Sequence, residues 1–211
     1  MKRRIWGTAL LVLGTLTPAW AGADEADRAK EAEGGWVALF NGKDIEGWEA
    51  YNSQGKQSDP STNWVVEDGV IRGTGPVSHL FSPRGDYKNF RYRVEAKIND
   101  RGNSGMYFRT AKGPGFPKGY EAQVNSTHPD PVKTGSLYNF VKIFDQLVPP
   151  DTWFTQEIEA VGNHIVIKVN GKTTVDFTDP NTTFREGSFA FQQHNQGSEV
   201  SIRKVEVLEL P

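Results

Sequence analysis

Hydrophobic and polar residues alternate along most of the chain, and short turns rich in Gly, Asn, Asp and Pro interrupt the alternation. The clearest run is 90–98 (FRYRVEAKI), where apolar residues take every second position and charged residues take the positions between them. Because successive side chains on a strand point to opposite faces, this run predicts a strand with one buried face. No apolar stripe with the helical period of 3.6 residues extends beyond about two turns after residue 35. The pattern therefore predicts an all-β domain.

Several tight turns and one change of phase locate the remaining strands. Asp68-Gly69 is a favoured two-residue hairpin turn, and Gly162-Asn163 and Asn170-Gly171 occupy similar places between later runs. In the last run, 200–210, the apolar residues change phase after position 202, which predicts a β-bulge at Arg203-Lys204. The predicted strands include 64–67, 70–72, 90–98, 156–161, 165–169, 173–177, 188–193 and 200–210, in addition to the strand-like runs at 36–40, 102–109 and 119–124.

The number of predicted strands separates two architectures, a closed barrel and a two-sheet sandwich. Roughly a dozen short strands are too many for a small barrel, and twisted open sheets of that size tend to split into two packed layers. We therefore predict a two-sheet antiparallel β-sandwich.

Composition limits the class of protein further. The chain has 211 residues, no cysteine and a formal net charge of -2, with a mean hydropathy of -0.56. This length suits one domain with a substantial core. Disulfides are impossible, and no basic patch of the kind that binds nucleic acid is present. No nucleic-acid partner is predicted.

The N-terminal residues have the features of an export signal. Lys2, Arg3 and Arg4 precede an apolar run, 5–16, that is too short to span a bilayer, and small residues typical of cleavage sites follow at 19–23. We predict a signal peptide over 1–23, a charged linker over 24–34 and one sandwich domain over 35–211. The mature protein is predicted to be periplasmic or secreted, with no membrane span.

Two neighbouring runs carry the candidate binding chemistry. In 102–109 (GNSGMYFR), alternation places Tyr107 and Arg109 on one face. In 119–124 (GYEAQV), it places Glu121 and Gln123 opposite an apolar face. If both runs belong to one sheet, an arginine, a tyrosine, a carboxylate and an amide gather on one surface. This combination favours a ligand site over an ordinary solvent-exposed face.

Other candidate side chains flank these runs. Asn103 lies between glycines and can contact a ligand, although a plain turn fits it equally well. Tyr107 and Tyr138 are aromatic residues that could stack on or hydrogen-bond to a ligand. Gln192 and His194 share one face of the run that begins at 188. His79 and His164 are expected to be surface or turn residues, and no metal site is predicted, since His128 and Asp130 lack a typical ligand spacing.

Five stretches resemble, in order, the motifs of the 3-keto-disaccharide hydrolase domain family. They are 39–48 (LFNGKDIEGW), 64–75 (WVVEDGVIRGTG), 102–109, 120–124 (YEAQV) and 192–194 (QQH). The resemblance implies a concanavalin A-like jelly roll with a sugar-like ligand on its concave sheet. It also implies that Arg109, Glu121, Gln123 and His194 match the family's polar positions. The chain departs from the family pattern at 124–126 (VNS) and at 151–154 (DTWF).

Glu121 is the leading catalytic candidate because it is the only acidic residue in the two central runs. A carboxylate among aromatic neighbours can have its pKa raised toward neutrality and can then transfer protons. The alternative is a structural ion pair with Arg109. Gln123 does not titrate, and no second acidic residue lies in an obvious partner run, so the two-carboxylate mechanism of conventional glycosidases is disfavoured.

The resemblance implies an exported enzyme that cleaves 3-keto-glycosides without a cofactor. A ketone at C3 acidifies the C2 proton, so one base could suffice, with Arg109 or His194 donating to the developing enolate oxygen. A non-catalytic carbohydrate-binding module is the alternative, because the same sandwich fold serves both functions. In both interpretations the partner is a small carbohydrate.

Overall fold

The chain forms fifteen strands and one short 3-10 helix in a computed structural model that describes residues 31–32, 35–54, 56–113 and 116–211. The strands are β1 (Glu31–Ala32), β2 (Trp36–Ala38), β3 (Glu49–Asn52), β4 (Gln57–Ser58), β5 (Trp64–Glu67), β6 (Val70–Gly73), β7 (Ser78–Phe81), β8 (Phe90–Ile98), β9 (Ser104–Ala111), β10 (Lys118–Val124), β11 (Phe154–Val161), β12 (His164–Val169), β13 (Lys172–Thr178), β14 (Ser188–Gln193) and β15 (Val200–Glu209). The 3-10 helix, Pro60–Thr62, precedes β5.

The strands form two antiparallel sheets. The nine-stranded sheet has the order β1-β2-β15-β8-β11-β12-β13. Its two remaining strands lie off this path: β6 pairs with β15, and β5 pairs with β6. The six-stranded sheet has the order β10-β9-β14-β7-β3-β4. The predicted two-sheet antiparallel sandwich is confirmed.

The core lies between the two sheets and is rich in aromatic rings. β8 alternates buried and half-buried residues along its whole length, as its sequence predicts. Tyr92 of β8 stacks on Phe189 of β14 with ring centroids 4.0 Å apart, and Phe90 packs edge-on against Phe108 at 6.2 Å. Tyr107 belongs to a separate small cluster with Phe81 and Ala190 on the other face of the six-stranded sheet. That other face carries the candidate site.

The turns and the predicted bulge follow the sequence pattern. Asp68 and Gly69 both have positive φ, 50° and 75°, as the favoured hairpin turn requires. The pairing of β15 with β8 shifts register between Arg203 and Val205, and Lys204 has a φ of 52°. The bulge at Arg203-Lys204 is confirmed.

The N-terminal predictions fall largely outside the described residues. The signal peptide over 1–23 lies there entirely, as does most of the linker over 24–34. Within that linker, Glu31–Ala32 forms a short strand that pairs with β2. Among the described residues, no helix has the length and apolar character that crossing a membrane requires.

Candidate functional site

A cavity of about 530 Å³ opens on the face of the six-stranded sheet that points away from the core. Strands β10, β9 and β14 supply its floor, and three connecting segments, 116–117, 138–140 and 183–184, supply its walls. The cavity exists because these segments rise above the edge strand β10 and leave the sheet surface between them uncovered. It contains most of the side chains that the sequence singled out.

Strand register brings the floor residues together in rows. Glu121 on β10 pairs with Tyr107 on β9, and Gln123 pairs with Gly105. Gln192 on β14 lies beyond Gly105 and pairs in turn with His79 on β7. Glu121, Gln123, Tyr107 and Gln192 all line the cavity. Their shared face follows from the alternation of each strand.

Glu121 is held over the floor by two neighbours. A Cβ atom added at Gly105 would collide with the Glu121 carboxylate, so only glycine leaves room for the side chain there. The Tyr107 hydroxyl forms a hydrogen bond with the same carboxylate. The pKa of Glu121 is raised to about 8, mainly by burial; the Tyr107 hydrogen bond opposes the increase, and the nearby charge of Asp130 adds a smaller contribution to it. The group can therefore exchange a proton near neutral pH.

A hydrogen-bond chain runs behind Glu121. The Gln192 amide nitrogen donates to the Tyr107 hydroxyl at 3.0 Å and lies 3.4 Å from Nε2 of His79. His79 is fully buried, and burial, with a smaller contribution from His194, lowers its pKa to about 4. The expectation that His79 is a surface or turn residue is wrong, because β7 is an inner strand of its sheet. The neutral imidazole supports the orientation of Gln192.

Three amide side chains of the cavity have unused hydrogen-bonding capacity. Asn103, Gln123 and Gln192 are each at most 2% exposed and line the cavity. The side-chain amide oxygen of each residue is buried and has no hydrogen-bond partner within the part of the chain that the structure describes. An unpaired buried acceptor costs about 1–3 kcal/mol. Such groups are suited to a ligand that brings several hydroxyl donors.

A second carboxylate, Asp130, reaches the cavity from the loop after β10. Its carboxylate accepts hydrogen bonds from the Tyr138 hydroxyl at 3.1 Å and from the backbone nitrogen of Val132 at 2.8 Å. Asn125 fixes the loop by donating to the Asp130 and Val132 carbonyls. Asp130 therefore accompanies Glu121 from a loop, outside the partner runs in which the sequence shows no second acidic residue. Strand periodicity cannot reveal a residue that a loop delivers.

Aromatic and imidazole rings cover one side of the cavity. Phe116 is 58% exposed, and its ring centroid lies 5.6 Å from that of His79 and 6.3 Å from that of His194. The rings of His194 and His128 lie 5.6 Å apart. Within the described ranges, no three His, Asp or Glu side chains are placed to hold a metal ion. Phe116 was not singled out by its sequence context, because it lies in a loop.

Arg109 is the one predicted catalytic residue that does not face the cavity. It has a φ of 50°, and the pairing of β9 with both of its neighbours shifts register close to it. The residue is 1% exposed, and its guanidinium donates to the carbonyl oxygens of Lys88, Gly162 and Phe184. The expectation that Arg109 shares a face with Tyr107 is wrong, because a bulge reverses the alternation. Arg109 ties the two sheets together instead.

We expect Arg109→Ala to destabilise the protein by about 3–5 kcal/mol, because the partly buried carbonyl groups of Lys88, Gly162 and Phe184 lose their donor. The matched control is Arg185→Ala, which removes an exposed arginine and should change stability by less than about 0.5 kcal/mol. Urea unfolding of the three proteins measures both values. A loss below about 1 kcal/mol at Arg109 would contradict this structural role.

Comparisons with known proteins agree with the fold. Residues 35–208 match the 3-keto-alpha-glucoside-1,2-lyase-like domain. A 3-keto-disaccharide hydrolase from Bacteroides thetaiotaomicron is 28% identical over 173 residues, which span 68% of this chain and 58% of that protein. A glycosyl hydrolase candidate from Parabacteroides distasonis superposes with a TM-score of 0.71 at 25% identity, covering 89% of this chain and 97% of that one. A carbohydrate-binding module from Bacillus subtilis superposes at 0.54 with 19% identity, covering 77% and 95%. The concanavalin A-like sandwich is thereby confirmed.

Proposed function

The chain belongs to the 3-keto-alpha-glucoside-1,2-lyase-like family, and on that premise we propose that it cleaves the glycosidic bond of 3-keto-glycosides. The relative from Bacteroides thetaiotaomicron carries the name of a hydrolase of this kind, although the match spans 58% of its length. We also propose that the protein is exported, from the signal-peptide pattern over 1–23.

The observation that carries the proposal is the pairing of a high-pKa carboxylate with unused amide acceptors. Asn103, Gln123 and Gln192 offer oxygens to the hydroxyl groups of a sugar. Glu121, with its pKa raised to about 8, lies beside them on the same floor. A site built to hold sugar hydroxyls next to a proton acceptor matches a reaction that begins by removing a proton from a sugar carbon.

In the proposed reaction, the Glu121 carboxylate removes the C2 proton of the sugar. The electron pair of the C–H bond forms an enolate with the C3 ketone, and His194 or the amide nitrogen of a neighbouring side chain donates to the enolate oxygen. The enolate then expels the C1 substituent: the C1–O bond breaks and a C1=C2 double bond forms. The leaving oxygen takes the proton back from Glu121, which returns to its carboxylate form. Addition of water across C1=C2 completes a hydrolysis.

Tyr107 and Gln192 are positioning residues in this scheme. The Tyr107 hydroxyl donates to Glu121 and accepts from Gln192, so the carboxylate is fixed from one side and leaves the other side open to the substrate. Together with the close approach at Gly105, this limits the carboxylate to one orientation. A base that is fixed before the substrate binds needs less reorganisation to reach the transition state.

A carbohydrate-binding module and a conventional glycosidase are the competing functions. A module would need hydrogen-bonding groups and aromatic surfaces, but it gains nothing from a carboxylate whose burial holds its pKa near 8. A glycosidase would need two carboxylates, and Asp130 supplies a second one in the same cavity. The C3 ketone separates these functions, because only the proposed elimination depends on it.

We expect the purified protein to cleave an aryl 3-keto-glucoside at least about 10³-fold faster than the matching unoxidised glucoside, because only the ketone acidifies the C2 proton. Release of the aryl alcohol measures both rates. Equal cleavage of the two compounds would favour a conventional glycosidase that uses Glu121 and Asp130 as its two carboxylates. Binding of both without cleavage would favour the module.

A further inference from the structure

The two ends of the cavity differ in chemistry, and Glu121 lies between them. Gly119, Glu121 and Gln123 alternate along β10 on the cavity floor, so each lies roughly 6.6 Å from the next. Asn103, Gln192 and His194 belong to the Gln123 end, since Gln123 pairs with Gly105 and both Asn103 and Gln192 lie close to that glycine. The polar groups are therefore gathered on one side of the base.

The Gly119 end is lined mainly by apolar surfaces. Phe140 and Phe184 each pack against Tyr120, with ring centroids 5.3 Å and 5.0 Å from it, and both contribute to the cavity wall. Gly119 adds no side chain to the floor at this end. The polar side chains there are those of Lys118, Asn139 and Thr183, and Thr183 already forms a hydrogen bond with Asp179.

A second sugar would fit this end poorly. A hexosyl group presents about three or four hydroxyls, and burying a hydroxyl without a partner costs about 1–3 kcal/mol on scales derived from proteins. An aromatic group has no such requirement and can stack on phenylalanine rings. The three buried amide side chains with an unpaired oxygen lie beyond Glu121, at the Gln123 end of the cavity.

We propose that the Gly119 end is the subsite for the leaving group, and that it selects glycosides with an aromatic leaving group over disaccharides. The sugar ring then lies among the amide side chains of Asn103, Gln123 and Gln192, which places its C1 and C2 beside Glu121. The direction in which the substrate lies in this assignment rests on the proposed function. The preference of the subsite for an aromatic group is a binding property and does not depend on any reaction. The two can therefore fail separately.

Calorimetry with unoxidised phenyl, methyl and glucosyl glucosides tests the subsite without any catalytic step. We expect the wild-type protein to bind the phenyl glucoside about tenfold more tightly than the methyl glucoside. The disaccharide should bind no more tightly than the methyl compound. Phe184→Ala should reduce the preference for phenyl to within about twofold and leave the affinity for methyl glucoside unchanged.

Two further variants make the result specific to the subsite. Phe144→Ala removes a phenylalanine that is 62% exposed and does not line the cavity, and it should leave all affinities unchanged. Phe184→Leu keeps an apolar side chain on Tyr120 and should retain part of the preference, so it serves if the alanine variant fails to fold. Thermal unfolding checks each variant.

Three outcomes overturn the subsite. These are no detectable binding of phenyl glucoside, tighter binding of the disaccharide, and equal weakening of phenyl and methyl glucosides by the Phe184 substitutions. If the preference for phenyl follows Phe184 but no 3-keto-glycoside is cleaved, the subsite stands and the proposed reaction fails. If 3-keto-disaccharides are cleaved and bound more tightly than aryl compounds, the reaction stands and the subsite is wrong.

Discussion

Glu121→Gln should lower the rate of 3-keto-glucoside cleavage by about 10²–10⁴ and leave sugar affinity within a few-fold of wild type. Gln keeps the size of the side chain and can still accept the Tyr107 hydrogen bond, but it cannot take up a proton. The loss should therefore appear in kcat. Steady-state kinetics on an aryl 3-keto-glucoside, with calorimetry on an unreactive glucoside, separates kcat from binding.

The control for this substitution is Glu46→Gln, at an exposed glutamate distant in sequence from the cavity segments. It should retain full activity. In the wild-type protein, kcat/KM should rise as the pH increases through about 8, because burial raises the pKa of Glu121 to that value and only its deprotonated form acts as a base. Undiminished cleavage by Glu121→Gln would remove this residue from the mechanism.

Sequence pattern predicts the sandwich well because most of its strands bury one face. β8 shows this most clearly, since its apolar and charged residues alternate without interruption. The bulge at Arg203-Lys204 is visible for the same reason, because the apolar phase reverses there. Glu121 and Gln123 are placed correctly by the alternation of β10, although their roles in binding and catalysis stay predictions.

The predicted orientation of Arg109 is wrong because β9, unlike β8, is buried on both faces. All residues of β9 except Ala111 are buried, so both faces of the strand are covered and the sequence shows no change of phase at the bulge. The side chain of Arg109 therefore turns toward the backbone carbonyls of other segments without any signal in its neighbours. A strand that is buried on both faces hides its own irregularities.

Asp130, Phe116 and His79 were missed for related reasons. Asp130 and Phe116 reach the cavity from loops, where neither a period of 2 nor one of 3.6 applies. His79 lies on β7, whose four residues are all buried, so its polar character suggested a surface position that the sheet order excludes. These residues are brought to the site by tertiary contacts, and local patterns carry little information about such contacts.

Glu121→Gln should also stabilise the folded protein, increasingly so as the pH rises. The pKa of Glu121 is about 8 in the folded chain, and an unperturbed glutamate has a pKa of about 4.3. Between these values the folded state keeps a proton that the unfolded state has released. The free energy of unfolding of the wild type therefore falls as the pH rises, by at most about 1.4 kcal/mol for each pH unit.

A glutamine at position 121 does not titrate, so it adds no such pH dependence. The free energy of unfolding of the variant should therefore exceed that of the wild type only slightly at pH 4.5 and by about 2–4 kcal/mol at pH 8.5. Urea unfolding of both proteins at the two pH values measures it. Other titrating groups, such as His79, are common to both proteins and cancel in the difference. Glu46→Gln should follow the wild type at both pH values.

Equal differences in the free energy of unfolding between Glu121→Gln and the wild type at pH 4.5 and 8.5 would mean that Glu121 is not held in its neutral form by burial. Glu121→Gln is therefore expected to raise the free energy of unfolding and to lower the rate of cleavage. This combination is typical of a buried catalytic carboxylate, because its burial raises the pKa that the reaction needs but destabilises the folded protein.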